Sequence, residues 1–321
     1  MADCEDGSAV SFEAEVDMLL LELKSSPSSA LEALRNLLPQ AKMQLRNNVH
    51  LLGRLLNDDR PEVVESAAEL MELACSEEEA AEHRGGPRSF EWSGVALEYW
   101  ELDDDYSSDL LFGNVLWACA AELAKLLIDA SVRPSHASPG AAASVVPAVG
   151  GTSVMELGAG VGLPGLACQA CGAVRVVLTD GEERLVESLR SRHGHLRGFA
   201  SEMLNWVEEA SEASALVDKE QFDVILGSDI MLSTNGGHTC IPHVVRRQLR
   251  RTAAARGLFI SKVRYTKTHV TAAAAFQAQQ MRVRAFRVHG SLTLTQVSVE
   301  KIHALPEDCH LLLVVDWNVE E

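Results

Sequence analysis

The chain has 321 residues, 47% of them hydrophobic, with a formal net charge of −18. That length suits one large domain with an extension, or two domains, and no run of about 18 apolar residues marks a membrane-spanning helix. The acidic balance argues against a nucleic-acid phosphate backbone as partner and for a basic protein surface. The acidic start Met1-Ala2-Asp3-Cys4-Glu5-Asp6 is unlike a signal peptide, and seven cysteines fit a reducing compartment. The expected address is the cytoplasm, with the nucleus open.

From the N-terminus, residues 10–82 read as helices. Ser29-Ala30-Leu31-Glu32 reads as a capping box opening the apolar stripe Leu31, Leu34, Leu37, Leu38. Residues 48–74, with Pro61 at a first helical turn, read as a helical hairpin. Residues 1–89 are expected to form a helical extension or cap. Within them residues 83–89 read as a linker into a second domain, 90–321. Val95 to Trp100 reads as a strand of a hairpin, followed by the acidic loop Leu102 to Tyr106 and a long helix from Leu111 to Ile128. Residues 131–152, rich in Ala, Pro, Ser and Gly, read as a flexible insertion.

Beyond residue 152 strand and helix alternate, which predicts an α/β Rossmann-like sheet. Strands are expected near 153–157, 174–179, 198–202, 222–228 and 257–263. A further one falls near 282–288 or 294–302, and a last near 310–316. The first strand runs into Glu156-Leu157-Gly158-Ala159-Gly160-Val161-Gly162. Asp180 ends the second, 22 positions after Gly158. Glycines let a backbone turn tightly and approach a ligand, and an acid at the second strand tip accepts both hydroxyls of a ribose. A dinucleotide fingerprint needs glycine at 163, where Leu163 stands. The spacing suits S-adenosylmethionine better than a nicotinamide dinucleotide, since no pyrophosphate must be held, and Glu156 suits the cationic end of such a ligand. Leu204-Asn205-Trp206 follows the third strand, where Trp206 is placed to lie against an adenine. Ser228 and Asp229 end the fourth, at the carboxyl edge where ligands bind in such sheets. Cys168 and Cys171 fall on the helix after the glycine turn and read as core thiols; no metal site is expected. Arg246, Arg247, Arg250 and Arg251 read as a solvated helix face that could also pair with the acidic extension.

Together, Glu156 to Leu163, Thr179-Asp180, Leu204-Asn205-Trp206, Phe222 to Asp229, and the segment Gly113-Asn114-Val115-Leu116-Trp117 resemble the family 16 protein-lysine methyltransferases. The resemblance implies a class I methyltransferase sheet of seven strands, the last antiparallel, and methylation of lysines on non-histone proteins with S-adenosylmethionine as cofactor. It implies cofactor contacts from Trp117, Glu156, Gly158, Ala159, Gly160, Asp180, Leu204, Trp206 and Ser228, and a catalytic, amine-orienting Asp229. Two departures stand out. Leu232 replaces the family's tyrosine after the fourth strand, and Asn205 replaces its commoner aspartate. These departures leave room for another acceptor (histidine, arginine or a small molecule) and for a binding protein that keeps the fold without catalysis.

Overall fold

The computed structural model describes residues 19, 22, 26–47, 60, 63–67, 70, 85–102, 113–132, 145–211, 221–232, 236–264, 266–290, 292–306 and 309–318. The chain divides into two compact units, Met1–Arg84 and Gly85–Glu321. In the first, α1 (Pro27–Asn47) begins before the expected capping box. Ser29 lies inside its first turn and donates to the Ser26 carbonyl at 3.1 Å. Pro27 explains the earlier start: its ring fixes φ near the helical value and its missing N–H costs nothing in a first turn. Leu31 and Leu34 are buried, as the stripe requires. Most of the 48–74 hairpin lies outside the described residues, although 63–67 are helical.

The second unit opens with a hairpin of β1 (Gly86–Trp92) and β2 (Val95–Glu101). Residues 86–89, expected as linker, are therefore strand. Ser93 and Gly94 join the two strands with φ of 49° and 80°, the left-handed pair that lets a two-residue turn follow the strand twist. The next helix, α2 (Ala118–Val132), starts later than expected. Residues 113–117 are instead a docked loop. Leu102 N–H donates to the Asn114 carbonyl, and Leu116 N–H to the Glu101 carboxylate at 3.1 Å. These bonds hold the loop outside the helical ladder, and the acidic residues 103–106 lie outside the described residues. The presumed flexible insertion is packed at its far end. Val145, Val146 and Val149 are buried in the core, and Val149 N–H donates to the Ser131 hydroxyl. Three apolar side chains that can reach a core outweigh the small-residue composition around them.

The sheet comprises β3 (Ser153–Leu157), β4 (Arg175–Asp180), β5 (Phe199–Met203), β6 (Val224–Ser228), β7 (Arg256–Lys262), β8 (Met281–Val288), β9 (Leu294–Val297) and β10 (His310–Trp317). Its spatial order is β5-β4-β3-β6-β7-β10-β8-β9. Strands β3 to β7 are parallel, and β10 inserts antiparallel between β7 and β8. The reversed last strand is as expected. The count differs, because both alternatives for the penultimate strand form and β9 adds an antiparallel edge. The parallel strands are buried on both faces, which is why they read as continuous apolar runs rather than alternating ones. Helices α3 (Leu163–Ala170), α4 (Glu183–His193), α5 (Trp206–Ser211), α6 (Gly237–Gln248) and α7 (Thr266–Ala278) connect them. One core cluster gathers Met155, Leu157, Ile225, Phe259 and Phe276; the other gathers Val154, Val176, Leu178, Leu226 and Leu258. Their alternation along β3, β6 and β7 places them on opposite faces of the sheet. Among the described residues no helix is long and apolar enough to cross a membrane.

The four arginines near α6 are all engaged within this unit. Arg246 donates to the Gln279 carbonyl and Arg247 to that of Glu209, Arg250 pairs with Asp223, and Arg251 lies 4.8 Å over the Trp317 ring. The expected bare, solvated face is thus a set of ties between α6, its following loop and neighbouring elements. Cys168 is fully buried in the core on α3, where burial pushes its thiol well up.

Candidate active site

The turn between β3 and α3 is built by glycines in conformations other residues resist. Gly158, Gly160 and Gly162 have φ of 58°, 52° and 76°. At all three positions a side chain would also collide, and one on Gly162 would meet Leu178 at 2.6 Å and Leu189 at 2.9 Å. A Cβ on Gly158 would come within 2.7 Å of Ile230, with the Trp206 ring 3.3 Å away, and one on Gly160 would meet the Gly113 carbonyl at 2.9 Å. The glycines therefore let three segments converge: the 113–117 loop, the start of α5, and the chain after β6. Ala159, between them, donates to the Thr179 carbonyl at 2.9 Å and ties the turn to β4.

Asp180 sits at the carboxyl end of β4 with its two oxygens facing different ways. Oδ2 accepts the Gly160 amide at 2.9 Å and Oδ1 the Glu182 amide at 3.1 Å. Burial pushes its carboxyl up, against the amides of Gly160, Glu182 and Gly181 that hold it down. A carboxylate offers about four lone-pair positions, so acceptor capacity remains for ribose hydroxyls. Leu204 donates its amide to the Asp180 carbonyl at 2.9 Å, fixing the strand tip beside Asn205 and Trp206. Asn205 has a local task the sequence reading missed. Its Oδ1 accepts the Val207 amide at 3.0 Å and its amide nitrogen donates to Glu208, capping α5 and so orienting Trp206 at the first helical position. An asparagine followed three residues later by glutamate is a legible cap, and it explains the departure from aspartate.

Glu156 is fully buried on β3. Its Oε2 accepts the Gly165 amide in the first turn of α3 at 2.8 Å, while Oε1 has no partner. Burial raises its pKa to about 8, opposed by the Gly165 amide and helped by Asp180. A buried carboxylate with an orphaned oxygen calls for a cation or a proton. These features fit S-adenosylmethionine: an acid short of a positive partner, a side-chain-free turn, an acid with spare acceptors and an aromatic ring beside the turn. Trp117 is half-buried at the entry to α2, where its carbonyl accepts the Ala120 amide. It is Gly113, earlier in the same loop, that the structure brings against Gly160.

Ser228 closes β6 opposite Ile260 of β7. Asp229 follows with φ of 57°, a left-handed conformation that costs a non-glycine residue roughly 1–2 kcal/mol. It is held there by its own amide, which donates to the Ile260 carbonyl at 2.8 Å. Its carboxylate is clamped in two-pronged fashion by Arg264, at 2.7 and 2.6 Å, with the Lys262 amide at 3.3 Å. Arg264 was not anticipated. The signal was present, since Lys262-Val263-Arg264 leaves the carboxyl end of a buried parallel strand, the edge where ligands bind. Leu232, where the family has tyrosine, is among the exposed large hydrophobic side chains.

A twisted parallel sheet with a reversed last strand, and a ligand turn joined to an acid at the next strand tip, define an S-adenosylmethionine-dependent methyltransferase of the class I type. Residues 101–251 match a family model described as lysine methyltransferase. Similar solved structures include a T. Thermophilus 16S ribosomal RNA N2 G1207 methyltransferase in complex with S-adenosylmethionine and guanosine. It is 16% identical with a TM-score of 0.46, covering 73% of this chain and 51% of that one. They also include a TehB-like methyltransferase from Corynebacterium glutamicum (14%, TM-score 0.41, covering 64% and 90%). A ribosomal protein L11 methylase from Lactobacillus delbrueckii is 11% identical with a TM-score of 0.38, covering 62% and 80%. No curated protein matches the chain.

Proposed function

We propose that the protein methylates lysine side chains of a non-histone protein, with Asp229 orienting the acceptor amine. The observation that carries the reading is the position of Asp229, at the carboxyl end of β6 directly after Ser228 and two strands' spacing from the Asp180 tip. The family match over 101–251 supports lysine as acceptor. The net charge of −18 supports a basic protein surface as partner, in the cytoplasm or nucleus.

S-adenosylmethionine supplies a methyl group on a positively charged sulfur. When bound, it would offer that methyl group to a neutral acceptor nitrogen. The chain's part is positional. The glycine turn would bring backbone close, Asp180 would receive ribose hydroxyls, Leu204 and Trp206 would border the adenine, and Trp117, Glu156, Ala159 and Ser228 would wall the methionine end. Asp229 accepts a hydrogen from the amine and so aims its lone pair.

A second reading is favoured by one observation. The Arg264 clamp on Asp229, with Leu232 in place of tyrosine, suits a different acceptor or a binding role without turnover. Transfer of labelled methyl from S-adenosylmethionine into a cell extract decides between them, with Gly160→Arg as control. A discrete protein band carrying methyl-lysine, absent with the control, is expected. Label in nucleic acid or small molecules, or none at all despite cofactor binding, would overturn the lysine reading.

A further inference from the structure

We infer that Arg264 is a positioning residue that selects the neutral form of the acceptor amine by cancelling the charge of Asp229; this rests on the methyltransferase reading above. The pair is well enclosed, with side chains 10% and 13% exposed, and both carboxylate oxygens face the guanidinium. A free carboxylate would draw in an ammonium, which has no lone pair and cannot attack. A carboxylate already paired has little net charge to offer a cation, yet keeps lone pairs for the N–H of a neutral amine.

The surroundings leave this balance intact. Cys119 on α2 faces the pair, its thiol pushed well up chiefly by burial. His269 on α7 is 4% exposed, and burial pushes its imidazole down, so it adds no charge at neutral pH. Glu122, further along α2, is paired with His310 of β10 at 2.6 Å. Lys262 contributes its backbone amide. The carboxylate of Asp229 and the guanidinium of Arg264 thus meet as a two-pronged pair.

A lysine ordinarily titrates near about 10.4, so roughly one in a thousand is neutral at physiological pH. A bare carboxylate would favour the ammonium and lower that fraction further; the paired guanidinium removes this bias. The amine sheds its proton to water on entering. Its lone pair then forms the new nitrogen–carbon bond as the carbon–sulfur bond breaks, and the methylated ammonium leaves. No side chain has to act as a base.

The test follows labelled methyl transfer into the extract band that the wild type labels, from about pH 6.5 to about pH 10, for wild type, Arg264→Met and Arg264→Lys. Arg264→Met is expected to lose about tenfold near pH 7 and to regain the wild-type rate near pH 10, its profile displaced upward by about one unit. Arg264→Lys is expected to keep the wild-type profile. A loss of equal size at every pH, or no loss, would overturn the inference. A second readout needs no turnover: n-butylamine is titrated into isotopically labelled protein while the Asp229 and Lys262 amide signals are followed. Wild type is expected to bind the neutral amine at high pH more tightly than the ammonium near pH 7, and Arg264→Met to reverse that order. The same order in both proteins would overturn it. If the wild type labels nothing, the lysine reading fails, while the butylamine titration still decides the role of Arg264.

Discussion

Asp180 at the tip of β4 accepts the backbone amide of Gly160 at 2.9 Å, so the strand tip and the glycine turn form one unit. A hydrogen bond to a charged group contributes about 1.5–3 kcal/mol. Asp180→Ala removes both this brace and the proposed ribose acceptor. Calorimetric titration of S-adenosylmethionine is expected to show binding weakened at least about tenfold. Asp180→Asn, which keeps one acceptor oxygen, is expected to fall between. Unchanged affinity in the alanine variant would remove Asp180 from the cofactor site.

Gly160→Ala tests the turn itself. Its φ of 52° disfavours any side chain by roughly 1–2 kcal/mol, and its Cβ would stand 2.9 Å from the Gly113 carbonyl. The 113–117 loop must then shift away from the turn. Thermal denaturation is expected at a lower temperature and cofactor binding is expected to weaken. Gly94→Ala, at φ of 80° with nothing within 4 Å of its Cβ, separates backbone strain from collision. It is expected to lower the melting temperature while leaving affinity alone.

Glu156 makes stability depend on pH. Its folded pKa, raised from 4.5 to about 8, means that the folded protein binds a proton the unfolded chain has released between those values. Folding stability is therefore greatest below about 4.5 for this group and falls as pH rises towards 8, by on the order of 5 kcal/mol. Asp180, raised in the same sense, adds to the trend. Glu156→Gln has no such proton to lose. Chemical denaturation at about pH 5 and pH 8 is expected to show the variant gaining on wild type at the higher pH. A constant difference between them would mean Glu156 is ionised throughout.

Asp229→Ala is expected to keep cofactor binding and lose methyl transfer. Removing one partner of an enclosed ion pair also destabilises, by about 3–5 kcal/mol, because Arg264 is left without its carboxylate. The double variant Asp229→Ala, Arg264→Met removes that penalty. It is expected to recover thermal stability without recovering turnover. Turnover in either variant would exclude Asp229 from orienting the amine.

The glycine turn and the acid beside it were legible because they are local. Glycines at 158, 160 and 162 between two apolar runs, and an acid ending the second run, are fixed by what a tight turn and a strand tip require. The parallel strands were equally plain, since burial on both faces demands unbroken apolar runs. Elements with contrary local signals were misread. Residues 86–89 look like a linker but pair as strand with Glu98 to Glu101. Residues 113–117 look helical but are drawn out by bonds to Leu102 and Glu101.

What the sequence determined by itself was the α/β fold, the glycine turn and the family motifs, all properties of short segments and their order; the reversed last strand came only through the family resemblance. Only the tertiary structure decided that Gly113 closes on Gly160, that Glu156 is buried with one oxygen unpartnered, and that Arg264 holds Asp229. Gly113 and Gly160 are 47 positions apart in the chain, and Asp229 and Arg264 are 35 apart. A guanidinium finds its carboxylate only once β6 and β7 lie side by side, and a glycine shows what its missing Cβ allows only once another backbone stands against it.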